Sequence, residues 1–530
     1  MGLIDKISKK IEEHNIQLKN VNIILFITGL ILIILSMFLT IGAMLTNFIH
    51  YSTQLNAYSL IISLIIIGSS LLIAFFIFAI YLARPPRKPE VIHAQILDDE
   101  FQGKKLHLSI DQKGMGTLTV DASRILYLNK EATDFMKLQI AKNDEKYIIE
   151  NMLKKYHLTE KTAREDFKKL KETIISLTEM ADVCPITYLE VETTKPFSKI
   201  TRPMRVDLAL TYKCNNECDH CYVGRSKDIK ELTTNQWKQI ISKLYEIGVP
   251  HVTFTGGEAT LREDLIDLIK YCEETGVVCG LVTNGRKLKD NDYVKKLVDA
   301  GLDYFQITLE SHDSKIHDKM VGVNGAWNDT IEGIKNAIAT PIYTLTNTTI
   351  TTLNAAEIDK TIDFLGSLES DSQHLEQFAM NSLIYSGKAV KVGSELGINE
   401  ENIGDIIDII KAKAEENNMR FIWYTPTEYC VFNPLHHGLG VKRCSAASIS
   451  ICIEPNGDVI PCQSYYKSVG NLLKEEWNKI WYSKLFKNIR DRKYVQDKCK
   501  GCSELEVCGG GCPLYAENKN IICGNVGSSP

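Results

Sequence analysis

The chain has 530 residues, a formal net charge of -5 and 15 cysteines. A secreted disulfide framework belongs to a much shorter chain, so an odd cysteine count at this length supports a reduced compartment. With 61 basic against 66 acidic side chains, composition gives no electrostatic footprint for nucleic acid.

In chain order, residues 1–20 form a short segment carrying Lys6, Lys9, Lys10 and Lys19. No Lys, Arg, Asp or Glu then appears until Arg84, and two apolar runs, Val21 to about Leu45 and about Leu60 to Leu82, fill the gap. Each is long enough for a membrane span, which takes roughly 20 apolar residues. A signal peptide does not fit, because the first run is too long and a second follows. The segment between them, Thr46 to Ser59, has no basic residue, while Arg84, Arg87 and Lys88 follow the hairpin. The sequence therefore predicts a transmembrane helical hairpin over 21–83 in the cell membrane, in contact with lipid, with both termini and the domains beyond in the cytoplasm. Arg84-Pro-Pro-Arg-Lys-Pro89 reads as a stiff linker, at 84–91.

Residues 92–182 have a different rhythm. Leu106–Ile110, Thr117–Val120 and Ile125–Leu128 read as short strands, with a turn at Gly114 and Gly116. Glu131–Ala141, Asp144–Tyr156 and Thr159–Leu177 read as helices. Three strands followed by three helices predict a winged-helix-like unit. Its text (LNKEATDFMKLQ, then IIENMLKKYHLTEKTAREDFKKLKETI) resembles the PqqD-like RiPP recognition element of peptide-maturing enzymes. That resemblance implies a leader peptide taken up as an added strand on a sheet edge. A spacer or a DNA-binding winged helix is the alternative, and the mixture of acids and bases disfavours the latter.

From 200 to 425 strands and helices alternate, which implies a parallel sheet with helical crossovers. Val206 to Leu210 reads as a strand entering a tight loop, and the loop carries Cys214, Cys218 and Cys221 as CNNECDHC. Three thiolates can hold three corners of a 4Fe–4S cluster and leave one iron open. A zinc ribbon is the alternative, but it uses paired C-x2-C steps and four ligands. A strand from His251 then ends in Gly256-Gly257-Glu258, where glycines allow close backbone approach and a carboxylate can take a cationic amine. Together these motifs resemble the radical S-adenosylmethionine (SAM) superfamily. Val282-Thr-Asn-Gly285, Tyr304–Ser311 and the segment His317–Ala337 continue the likeness; Ala259, Glu310 and Val321 stand where relatives favour proline, aspartate and arginine. The resemblance implies an α/β fold, an incomplete (βα)6 barrel. It also implies SAM contacts at His220, Gly256, Gly257, Glu258, Thr308 and Glu310. Asp207, His251, Gln306 and Asn354 lie near strand ends, each with a structural role as its default.

A second cysteine set fills 426–530. Cys444, twelve residues, Gly457, four residues and Cys462 are followed by Cys499-x2-Cys502-x5-Cys508-x3-Cys512 and Cys523. This order resembles the SPASM extension of radical SAM enzymes, which binds two auxiliary 4Fe–4S clusters. Carried across by position, Cys499, Cys502, Cys508 and Cys523 hold one. Cys444, Cys462 and Cys512 hold the other, with Cys430 as the expected fourth ligand and Cys452, in an alternating strand, as a packed residue. A pair of structural zincs is the alternative. Cys184, Cys272 and Cys279 match no motif and read as buried side chains.

The resemblance implies one-electron reduction by a donor such as flavodoxin or ferredoxin, cleavage of SAM to methionine and a 5′-deoxyadenosyl radical, and hydrogen abstraction from substrate. The expected substrate is a ribosomally made peptide, with the membrane hairpin placing the enzyme beside an exporter. Gln463 stands where sulfatase-maturing members carry aspartate. The alternatives are a lipid, haem precursor or other small molecule as substrate, and a membrane-tethered zinc-ribbon regulator.

Overall fold

The computed structural model describes residues 90–95, 105–110, 114–120, 124–142, 144–179, 201–226, 228–370, 373–399 and 402–522. The two-pass membrane location is corrected. Among the described residues no helix is long and apolar enough to cross a membrane. The charge-free runs that suggested the hairpin, and the linker after them, lie outside the described residues, as do Cys184 and Cys523.

The first described unit is a four-stranded antiparallel sheet, β1 (Glu90–Gln95), β2 (Lys105–Ile110), β3 (Gly116–Val120) and β4 (Arg124–Leu128), in that order. Three helices follow, Lys130–Ala141, Glu145–Lys155 and Glu160–Glu179. Asn129 and Asp144 cap the first two by accepting the Ala132 and Tyr147 amides, which satisfies otherwise orphaned donors. The three strands and three helices read from the sequence are present, and β1 adds a fourth strand. Leu106, Leu108, Leu118, Met136 and Ile174 form one core, and Phe135, Ile148, Met152 and Phe167 a second. The unit thus buries its own apolar surface.

Among the described residues the main sheet has nine strands. Five consecutive parallel strands, β5 (Arg205–Thr211), β6 (His251–Gly256), β7 (Val278–Thr283), β8 (Tyr304–Thr308) and β9 (Tyr343–Ile350), are joined by Gln377–Ser382 and Arg420–Trp423. Periodicity explains the crossovers. In helix Thr234–Ile247 the residues Trp237, Ile240, Ile241 and Leu244 form one buried stripe. A capping box of Thr233 and Gln236 starts that helix and left-handed Gly248 ends it. On β5, Val206, Leu208 and Leu210 pack towards the helices, while alternate residues Arg205 and Asp207 line the lumen.

On the other flank of β5 the sheet departs from a six-stranded barrel. Ser450–Ile453 pairs with it in parallel, placing Cys452 opposite Asp207, and Val459–Ile460 folds back antiparallel. The cysteine-rich region is therefore hydrogen-bonded into the core sheet. A boundary at residue 426 separates composition, not structure.

Candidate active site

The loop after β5 presents Cys214, Cys218 and Cys221 to a cavity of about 620 Å³. The Asn216 amide donates to Cys214 Sγ at 3.4 Å. Arg286 binds the same loop, donating to the Asn215 carbonyl at 2.6 Å and Asn216 Oδ1 at 3.1 Å, while Asn284 donates to Asn215 Oδ1 at 2.6 Å. Burial, then the charges of Glu310, Cys221 and Cys214, pushes the Cys218 thiol well up. A thiol so placed resists ionising on its own, and a cationic cluster that takes thiolates relieves that resistance. The cradle fits an iron–sulfur cluster. Among the described residues no group of three His, Cys, Asp or Glu side chains is gathered for a single metal ion.

The two glycines of the GGE segment serve this loop. Gly256 has φ +140°, and a Cβ on Gly257 would overlap the Lys213 and Tyr212 carbonyls. The Gly257 amide donates to the Thr211 carbonyl at 2.7 Å and the Glu258 amide to that of Lys213 at 2.9 Å. Close approach is needed here between two pieces of the protein's own backbone. Glu258 is 1% exposed and its carboxylate is spent: Oε1 accepts from Thr260 and Thr283, and Oε2 accepts the Asn284 amide at 2.8 Å. It locks the turn after β7 and is not among the residues facing the cavity.

Thr308, Glu310 and His220 do line the cavity. His220 Nε2 and Glu310 Oε1 are 2.9 Å apart, and Glu310 Oε2 accepts the Thr349 amide at 2.8 Å. Burial opposes charge on His220, but Glu310 outweighs it and holds the imidazole pKa above its usual value. His220 Nδ1 is buried without a partner among the described residues, which fits a hydrogen-bonding ligand beside the cysteines. Asn354 is structural, donating to the Glu310 and Thr349 carbonyls at 2.8 and 2.9 Å.

Cys444, Cys462 and Cys512 line the same cavity. Burial raises the Cys444 thiol, and Cys512 and Cys462 raise it further; burial pushes Cys462 up to about 12. Tyr222 and Gln463, each next to a cysteine of one set, are joined by a 3.3 Å hydrogen bond from the tyrosine hydroxyl to Oε1. Cys452 is fully buried against Ala209, Tyr212 and Ile460, as a packed residue.

Cys430, the expected fourth ligand beside Cys444, is not among the residues lining that cavity and stands instead beside Glu428 and Lys498. Lys498 Nζ lies 3.6 Å from Cys430 Sγ and 2.6 Å from Glu428 Oε2, and the Tyr429 amide donates to Cys508 Sγ at 3.3 Å. Burial, Glu428, Cys430 and Cys508 all raise the Cys499 thiol, with Lys498 opposing them.

The lumen beneath the cradle is polar. Arg205 Nε lies 3.1 Å from Asp207 Oδ1. The Tyr304 hydroxyl hydrogen-bonds Thr253 Oγ1 at 2.8 Å and His251 Nε2 at 3.1 Å, and the Tyr424 hydroxyl donates to Gln306 Oε1 at 3.3 Å. Burial, then Arg205, depresses His251 to about 3, so it stays neutral.

Residues 208–365 match the model of the radical SAM superfamily, and 444–503 that of an iron–sulfur cluster-binding domain, SPASM. A PqqA peptide cyclase of Bradyrhizobium diazoefficiens is 28% identical over 326 residues, 59% of this chain and 82% of that protein. An Fe-coproporphyrin III synthase of Methanosarcina barkeri is 28% identical over 361 residues, 62% of this chain and 87% of that one. Among solved structures, Streptococcus suis SuiB bound to precursor peptide SuiA superposes with a TM-score of 0.54 at 18% identity, covering 76% of this chain and 93% of SuiB. SuiB bound to S-adenosylmethionine gives 0.52 at 17%, with the same coverage.

Proposed function

We propose that this chain, which belongs to the radical SAM superfamily and carries a SPASM iron–sulfur domain, modifies a ribosomally made peptide by abstracting hydrogen from it. The observation that carries this reading is one cavity lined both by Cys214, Cys218 and Cys221 and by Cys444, Cys462 and Cys512. Bound by the first three cysteines, a 4Fe–4S cluster supplies the electron that cleaves SAM reductively and so yields a hydrogen-abstracting radical.

The chain's own residues do the rest. Arg286 and Asn284 fix the cysteine loop from outside, and Glu258 fixes Asn284. Glu310 orients His220, leaving Nδ1 for SAM beside the cluster. In this reading the SAM contacts are His220, Thr308, Glu310 and the Gly256-Gly257 backbone, with Glu258 acting through the turn it holds. The enclosing walls limit water where a radical would otherwise be quenched. Cys444, Cys462 and Cys512 would hold a second cluster, which would supply one-electron redox capacity to the same space. Cys499, Cys502 and Cys508 hold a third, with Cys430 and Cys523 as sources of its fourth thiolate. An external one-electron donor such as flavodoxin or ferredoxin completes the cycle.

The antiparallel unit before the core serves as the leader-binding, winged-helix-like module. Its sheet ends in two edge strands, β1 and β4, and an added strand pairs at one of them. The PqqA peptide cyclase relatives and the SuiB–SuiA complex support a peptide as substrate. The test is coexpression with any short reading frame found beside the gene, followed by mass spectrometry. A mass change in one product, absent with the Cys214→Ala/Cys218→Ala/Cys221→Ala variant, is expected. Unchanged peptides together with turnover of a small metabolite would overturn the peptide assignment.

A further inference from the structure

Four basic side chains line the cavity, and three are already engaged. Arg225 is held by Glu454 through Nε at 2.8 Å and Nη2 at 3.1 Å. Lys388 pairs with Glu217 at 3.1 Å, and Arg443 donates to the Glu506 carbonyl at 3.4 Å. Arg205 is different. It stands on the lumen side of the first residue of β5, and its one ion pair is the Nε contact with Asp207. Neither terminal nitrogen donates a hydrogen bond to any described residue. Its side chain is 44% accessible and is among those lining the cavity. The hydroxyl of Tyr424, 43% exposed, and the amide of Gln306 stand on the same lumen.

A guanidinium offers five N–H donors in a planar fork, and those the protein leaves unused stand open to a ligand. The group that matches the fork is a carboxylate, held by two parallel charge-assisted bonds. We propose that Arg205, flanked by Tyr424 and Gln306, forms a carboxylate-binding subsite deep in the barrel that selects an acidic group of the peptide. That group is an Asp or Glu side chain or the C-terminal carboxylate. The proposal rests on the reading that this cavity receives a peptide. From Arg205 to the end of β5 at Thr211 the strand advances roughly 20 Å at about 3.3 Å per residue. The anchored carboxylate is therefore not on the reacting residue but several positions away, since an extended chain covers about 3.5 Å per residue. The subsite fixes register and leaves the chemistry to the other end.

The test uses the cluster-loaded full-length protein under anaerobic conditions and three small probes. N-acetylglutamate α-amide offers a side-chain carboxylate, N-acetylalanine a terminal one, and N-acetylglutamine amide neither. Binding is read by saturation-transfer NMR titration. One of the acids is expected to bind at least about tenfold more tightly than the neutral amide, and which one does identifies the source of the carboxylate. Arg205→Met should remove that preference and Arg205→Lys should weaken it, because an ammonium lacks the fork. Asp207→Asn leaves the fork and removes the competing charge, so it should tighten acid binding, which decides the matter even where Arg205→Met does not fold. Equal binding of acid and neutral probes, or unchanged selectivity in Arg205→Met or Asp207→Asn, would overturn the subsite. Iron content and SAM cleavage are measured on the same wild-type preparation. Intact cleavage without acid selectivity removes the subsite alone, whereas selectivity without iron or cleavage removes the enzymatic reading and keeps the subsite.

Discussion

Asp303, immediately before β8, accepts a hydrogen bond from His107 Nε2 of β2 at 3.0 Å, across 196 residues of sequence. Lys105 reaches the same carboxylate at 2.8 Å, and Asp303 Oδ2 accepts the Cys279 amide at 2.7 Å. One buried carboxylate thus ties the antiparallel module to the foot of the barrel. Burial alone would raise Asp303, but His107 and Lys105 outweigh it and hold its pKa down to about 2, against an ordinary 3.8. A carboxyl depressed in the folded state stabilises above its unfolded pKa, and that contribution disappears as pH falls from about 4 towards 2. Asp303→Asn should cost about 3 kcal/mol at neutral pH by removing the buried charge that His107 and Lys105 face. It should also flatten the loss of stability between about pH 4 and 2. Urea unfolding of both proteins across that range checks it; parallel curves would contradict the role.

His251 gives the opposite test. Its folded pKa of about 3 lies below the ordinary 6.5, so the unfolded chain takes up a proton that the folded chain refuses. Stability then falls by about 1.4 kcal/mol for each pH unit below 6.5 from this group alone. His251→Gln should remove that slope between pH 6.5 and 5, read from denaturant midpoints.

Gly257→Ala places a methyl group against the Lys213 and Tyr212 carbonyls. A cost of about 1–3 kcal/mol is expected, together with displacement of the cysteine loop. SAM affinity should fall while iron on the C-terminal cysteines is retained. Calorimetric SAM titration and iron analysis on one sample check both parts; unchanged affinity would show that the contact is not needed.

The cysteine sets were legible because thiolate ligation demands one residue type, and its spacing survives in the sequence. The three helices between 130 and 179 were legible for a similar reason, since helix starts and apolar periodicity are local. What the sequence hid was partnership at a distance. Glu258 reads as a ligand for an amine until Thr283 and Asn284 are seen to consume it. SISICIEP reads correctly as a strand, but nothing in it says that Cys452 will stand beside Asp207 in the core sheet. Arg286, which clamps the cysteine loop, was passed over although it directly follows the Val-Thr-Asn-Gly turn that was recognised.

Cys430 makes that lesson testable. Cys430→Ser should alter the electron paramagnetic resonance signal that Cys499→Ala also changes. It should leave untouched the signal removed by Cys444→Ala. The reverse pattern would return Cys430 to the cavity-facing cluster.

The most direct measurement is an iron and sulfide count on anaerobically purified full-length protein, followed by dithionite and SAM with assay for 5′-deoxyadenosine. The account predicts about twelve irons and 5′-deoxyadenosine formation, with about four irons and all cleavage lost in Cys214→Ala/Cys218→Ala/Cys221→Ala. Zinc in place of iron, with no cleavage, would contradict it.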